Sequence, residues 1–158
     1  MSIDAFHFVE KHLPDAALRP LHLQMLRASL QAATTLAPDR WTLTCNKTSL
    51  RVNVGMIEVL SFTRDEVNIV VDGPLFSQID AQTPLPCDYD GVFAEDGEPA
   101  YASVANSTAI FVTPADAPTA MQLVWPAHQA LIRHAARTQL NPSVRKAHQA
   151  ELAAWLMR

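Results

Sequence analysis

The chain has 158 residues, of which 49% are hydrophobic and 18% charged, and a formal net charge of −4. That length and composition fit one globular domain, residues 1–158, with enough chain to bury its own core, and carry no signature of disorder. No apolar run reaches the roughly eighteen residues of a membrane span, and the opening MSIDAFHFVEKHLP lacks the build of a secretory signal, so a cytoplasmic protein with no membrane partner is expected.

The chain begins with two helical patterns. Ile3, Phe6 and Val9 recur at helical spacing from Ile3 to about His12, and Pro14 ends the run. Pro20 suits the first turn of a second helix, which runs to about Leu36. Leu21, Met25, Ala28 and Ala32 line one of its faces and Leu23, Leu26, Leu30 and Ala33 another, which predicts a buried central helix.

Four β-type runs follow almost end to end: WTLTCN, SLRVNV, MIEVLSFT and EVNIVVD. The junctions are Asn46-Lys47-Thr48, the single Gly55, and Arg64-Asp65. Strands joined so closely must be antiparallel neighbours, because a parallel crossover needs about a dozen residues. Leu50, Val52 and Val54 alternate with Arg51 and Asn53, the pattern of a half-buried strand. In the next run Glu58 shares a face with Met56, Leu60 and Phe62, so Gly55 marks either a tight hairpin or a bulge that resets the register.

From Gly73 to Pro99 the chain reads as an irregular, Pro-rich and acidic loop. Tyr101 to Val104 and Thr108 to Thr113 read as a second strand pair turning at Asn106-Ser107. A helix is predicted from about Pro126 to Thr138, and Asn141-Pro142 starts a last helix that runs to about Met157. The fold class is therefore α+β: an antiparallel β-meander packed with N-terminal helices and a C-terminal helical pair.

Charge is segregated along the chain. Residues 1–63 sum to +1, residues 64–120 to −9 and residues 121–158 to +4. Arginines on two terminal helices could hold a phosphate or a nucleic-acid backbone; the competing reading is an ordinary solvated face. The acidic excursion could present carboxylates to a basic partner or simply solubilise the surface. Its D-Y-D-G fragment resembles the start of a calcium loop, but the later ligands are not at the required offsets, so no metal is expected.

Enzyme signatures are missing. There is no G-x-S-x-G, Walker-type loop, G-x-G-x-x-G or H-E-x-x-H, and four glycines in all leave none to spare for a phosphate-cradling loop. His128 and His134 are six apart, which places them on different helix faces. Cys45 sits in an apolar strand, where a thiol is usually inert packing. It and Cys87 read as two free thiols, with one disulfide as the other possibility. A non-catalytic chain with no cofactor is expected. A small hydrolase or transferase would need a deep pocket gathering histidines and carboxylates.

Trp41, Leu50 to Leu60, Pro126 to Ala136 and Val144 to His148 together resemble the N-terminal segment found ahead of some bacterial HNH-type nucleases. The likeness covers about a third of the chain and carries no catalytic motif; the nuclease part has no counterpart here. It implies a recognition or accessory module of a bacterial cytosol, associated with defence or nucleic-acid processing. The candidate binding residues are His128, Arg133, His134, Arg137, Arg145, Lys146 and His148. The alternative is a protein-binding inhibitor or immunity-type protein using Asp88, Asp90, Glu95, Asp96 and Glu98. The expected partner is thus nucleic acid or another protein.

Overall fold

The computed structural model describes residues 3–85, 88–91 and 107–158. Two helices, α1 (Ile3–His12) and α2 (Arg19–Leu36), lead into β1 (Trp41–Cys45), β2 (Ser49–Val54), β3 (Ile57–Thr63) and β4 (Val67–Asp72). Then come α3 (Gly73–Gln82), β5 (Asp88–Gly91), β6 (Ser107–Val112), α4 (Ala117–Ala135), α5 (Pro142–Lys146) and α6 (Ala150–Leu156). The strands form a six-stranded sheet of order β1-β2-β3-β4-β6-β5. Each neighbouring pair is antiparallel. The fold is α+β, with the expected meander as its first four strands.

Register explains the two faces of this sheet. Leu43, Val52, Leu60, Ile69 and Ile110 oppose one another from strand to strand, and all are fully buried. One pleat away, the opposing set is Thr44, Arg51, Ser61, Asn68 and Phe111. Alternation of period two thus puts an apolar set on one side and, Phe111 apart, a polar set on the other. The helices cover the apolar side: the His22 ring of α2 lies 5.6 Å from that of Phe62, the neighbour two along from Leu60.

Of the two alternatives its sequence context left open, Gly55 makes the tight hairpin, and a bulge that resets the register lies elsewhere, at Val59. Gly55 takes φ 58° in the two-residue turn that pairs Val54 with Ile57. A separate shift then leaves Val59 unpaired, because Val52 opposes Leu60 while Asn53 opposes Glu58. The bulge turns Val59 into the buried layer and moves Glu58 to the polar face, where it meets Arg51 at 3.4 Å.

Several expected elements change. Residues 73–82 are helix, not loop: Asp72 Oδ1 accepts the Leu75 N–H at 3.0 Å and Pro74 sits in the first turn. Helix α4 starts at Ala117, nine residues before Pro126, and carries that proline on its exposed side. Pro126 costs one backbone hydrogen bond but does not start the helix, because Pro118 already occupies the first turn. The last helix is two short ones, α5 and α6. Ser107 lies within β6, not at a turn, and β6 pairs with β4 and β5; Tyr101 to Val104 lie outside the described residues. Helix α2 is not buried all round. Met25, Leu26, Leu30 and Ala33 face the core, while Leu21 is 45% exposed.

Candidate functional site

The seven candidate residues of the C-terminal third do not form one face. Their fates follow from the helix stripes and from the edge strand they pack against.

His128 belongs to the core. It falls on the buried stripe of α4 with Val124, Leu131 and Ala135, and it is 0% exposed. Its Nδ1 lies 2.9 Å from the Val70 carbonyl, which can only accept, so Nδ1 carries the proton. Its Nε2 therefore accepts from the Ser29 hydroxyl at 2.9 Å. Serine, imidazole and carbonyl stand in the order of a nucleophile, a base and an orienting group. Ser29 is also 0% exposed, however, and neither residue lines a groove, so the pair serves as a polar rivet between α2, α4 and β4. Burial lowers the His128 pKa to about 4, against a smaller opposing effect of the Val70 carbonyl.

His148 is a clamp. It lies between α5 and α6, and its Nδ1 accepts the Leu43 N–H of β1 at 3.0 Å. The next residue, Gln149, donates its N–H to the Leu43 carbonyl at 2.7 Å. The ring also packs edge-on against Trp41 at 5.1 Å. One residue of the outermost strand thus has both backbone groups satisfied by the C-terminal segment, which blunts that edge against pairing with another chain. Burial lowers the His148 pKa, as expected for a ring whose lone pair is committed to a backbone donor. Replacing His148 with Ala is expected to cost about 1–2 kcal/mol of stability in urea unfolding; an unchanged midpoint would rule out the clamp.

His134 is half-exposed and lies 3.4 Å from Asp72, at the start of α3. Arg133 points elsewhere, into a groove of about 410 Å³ between α2 and α4 that Trp125 and Leu36 also line. Arg137 is exposed in the turn after α4.

Arg145 and Lys146 do converge, and on a cation the sequence reading had not included. They line an open groove of about 630 Å³ with Asp39, Arg40, Gln139, Leu140 and Pro142. The Arg40 guanidinium is fixed by donating from Nη1 to the Thr138 carbonyl at 2.6 Å, and the Arg40 carbonyl accepts the Gly55 N–H at 2.7 Å. Arg40 therefore reaches the site because the hairpin turn and the end of α4 hold its backbone and its tip. Among the described residues, the ion pairs are Arg51–Glu58 and His134–Asp72, so neither Arg40, Arg137, Arg145 nor Lys146 is neutralised by a carboxylate contact. Adjacency to Trp41, which opens β1, was the available signal for Arg40, but its distance in sequence from Arg145 hid the cluster.

The acidic alternative is relocated in part. Asp88 and Asp90 lie on β5, an edge strand paired with β6, and not in a loop. Glu95, Asp96 and Glu98 lie outside the described residues. Cys45 is partly buried and free, with its thiol pKa raised by burial against a smaller lowering by Lys11, which suits inert packing; Cys87 is outside the described residues. Among the described residues no cluster of His, Cys, Asp or Glu is arranged to hold a metal, and no helix is long and apolar enough to cross a membrane.

No family model, curated protein or solved structure matches this chain. The functional reading therefore rests on the chemistry of its surfaces.

Proposed function

We propose that this protein is a non-catalytic recognition module that grips a nucleic-acid backbone in the groove formed by Arg40, Arg145 and Lys146. The observation that carries the reading is the convergence of those cations on one open groove, with Asp39 as the only acid among the described residues that line it. Guanidinium and ammonium groups left without carboxylate partners are suited to phosphate oxygens. The resemblance to the segment ahead of bacterial HNH-type nucleases supports the same reading, and its setting would be a bacterial cytosol with an association to defence.

The salt dependence supplies a quantitative test. A groove neutralising about three phosphates should give a log–log slope near −2.7, or about a 40-fold loss of affinity for duplex between 50 and 200 mM salt. Fluorescence anisotropy with a labelled duplex measures it. The double variant Arg145→Glu/Lys146→Glu should abolish binding at low salt, while His134→Ala, outside the groove, should leave it unchanged. Absence of wild-type binding at low salt, or equal binding by the double variant, would overturn the proposal.

A further inference from the structure

The β2–β3 hairpin ends in a two-residue turn, Gly55-Met56, between the paired Val54 and Ile57. Met56 is 52% exposed, more than any other large apolar side chain among the described residues. A lone exposed apolar residue is ordinary on a protein surface. This one differs in what holds it and in what it stands beside.

Its backbone is fixed from two sides. The Gly55 N–H donates to the Arg40 carbonyl at 2.7 Å, and the Met56 N–H donates to Thr138 Oγ1 at 2.9 Å. The tip therefore has little backbone freedom to lose when something binds it. The same anchors tie it to the cationic groove. Thr138 accepts from Arg40 Nη1 at 2.6 Å through its carbonyl, and both Arg40 and the next residue, Gln139, line the groove. A single residue, Thr138, thus bridges the backbone of Met56 and the guanidinium of the nearest groove cation.

Cations that grip phosphates and an apolar tip beside them are the two parts of a protein that kinks duplex DNA. The cations hold the backbone while an apolar side chain enters the minor groove and partly unstacks two base pairs. Methionine suits that task, being unbranched, polarisable and favourable against aromatic rings. We propose that Met56 is a wedge that enters between base pairs and kinks the duplex DNA held by Arg40, Arg145 and Lys146. This rests on the groove reading above and adds to it the form of the ligand, a duplex deformed at one base step. Steps that unstack readily are then preferred without any base-edge contact.

The test uses a short DNA duplex at low salt with two fluorescence readouts. Energy transfer between its labelled ends reports a bend, and an internal 2-aminopurine brightens when it is unstacked. The wild type should bend the duplex by about 20° or more and raise the 2-aminopurine emission. A central mismatch, which makes unstacking cheaper, should tighten binding about tenfold. Met56→Ala should abolish both signals, whereas Met56→Leu, which keeps an apolar wedge, should retain them. Position 56 is exposed, so both variants should fold, which an unchanged urea midpoint checks. Binding that leaves the duplex straight, a bend that Met56→Ala retains, or equal affinity for matched and mismatched duplex would overturn the wedge and leave the groove reading intact. Absence of any wild-type binding at low salt would overturn both.

Discussion

Lowering the pH from 7 to 4 is expected to remove about 3 kcal/mol of stability through His128 alone. The sign follows from the site. In the unfolded chain the imidazole titrates at its ordinary value near 6.5, whereas burial depresses it to about 4 in the native state. Between those values the unfolded state binds the proton and the native state does not. The stabilising contribution is therefore complete above pH 6.5, falls as the pH drops below 6.5, and is exhausted once the pH passes below about 4. Protonation also removes the lone pair that accepts from Ser29, so the charged ring would sit fully buried beside a hydroxyl that it could no longer accept from. Other groups titrate over the same range, so the difference between wild type and His128→Gln isolates the effect. The urea midpoint of the wild type should fall more steeply with acid than that of the variant. Parallel curves would mean that His128 does not carry the cost.

That residue also shows what could have been read from the sequence and what could not. Position 128 falls at i+4 from Val124 and i−3 from Leu131, on the apolar stripe, and stripe membership alone argued for the core. Grouping it with Arg133 and Arg137 followed linear charge content, which ignores that a helix turns through 100° per residue. His148 is a different case. Its partner, the backbone of Leu43, is 105 residues away, and nothing local records which strand edge the C-terminal segment will cover. Arg40 was missed for the same reason, because its neighbours in the groove come from the other end of the chain.

The meander was readable because strand period and short junctions are local properties, and loop length alone forces antiparallel pairing. The insertion of β6 between β4 and β5 was not, since sheet order beyond a hairpin is decided by long-range packing. Helix α3 lies between these cases. The run Asp72-Gly73-Pro74 holds an N-cap and a first-turn proline, a start signal outweighed in the reading by the proline density downstream. The charge split itself survives only locally: among the described residues the cations near Arg40 make no ion pair, although Asp39 lines their groove, while His134 is held by Asp72.

Replacing Gly55 with Ala should destabilise the protein by about 3 kcal/mol, a fall of about 10 °C in Tm for a chain of this size. Two costs combine. The residue sits at φ 58°, where a side chain adds about 1 kcal/mol. A Cβ there would also overlap the Thr138 hydroxyl and crowd the Ala135 carbonyl, because the turn packs directly on the end of α4. That hydroxyl is not free to move. It accepts the Met56 N–H at 2.9 Å and donates to the Ala135 carbonyl at 2.7 Å, so displacing it breaks the bonds that join the hairpin to the helix. A double-mutant cycle separates the two costs. Thr138→Ala removes the hydroxyl and its bonds, so the Gly55→Ala substitution should cost less in that background, with only the backbone conformation and the Ala135 contact left to oppose it. Strict additivity in thermal melts would mean that the turn and the helix end do not touch as described. It would also weaken the case that Arg40, held by the Gly55 N–H and the Thr138 carbonyl, is fixed in the groove before any ligand arrives.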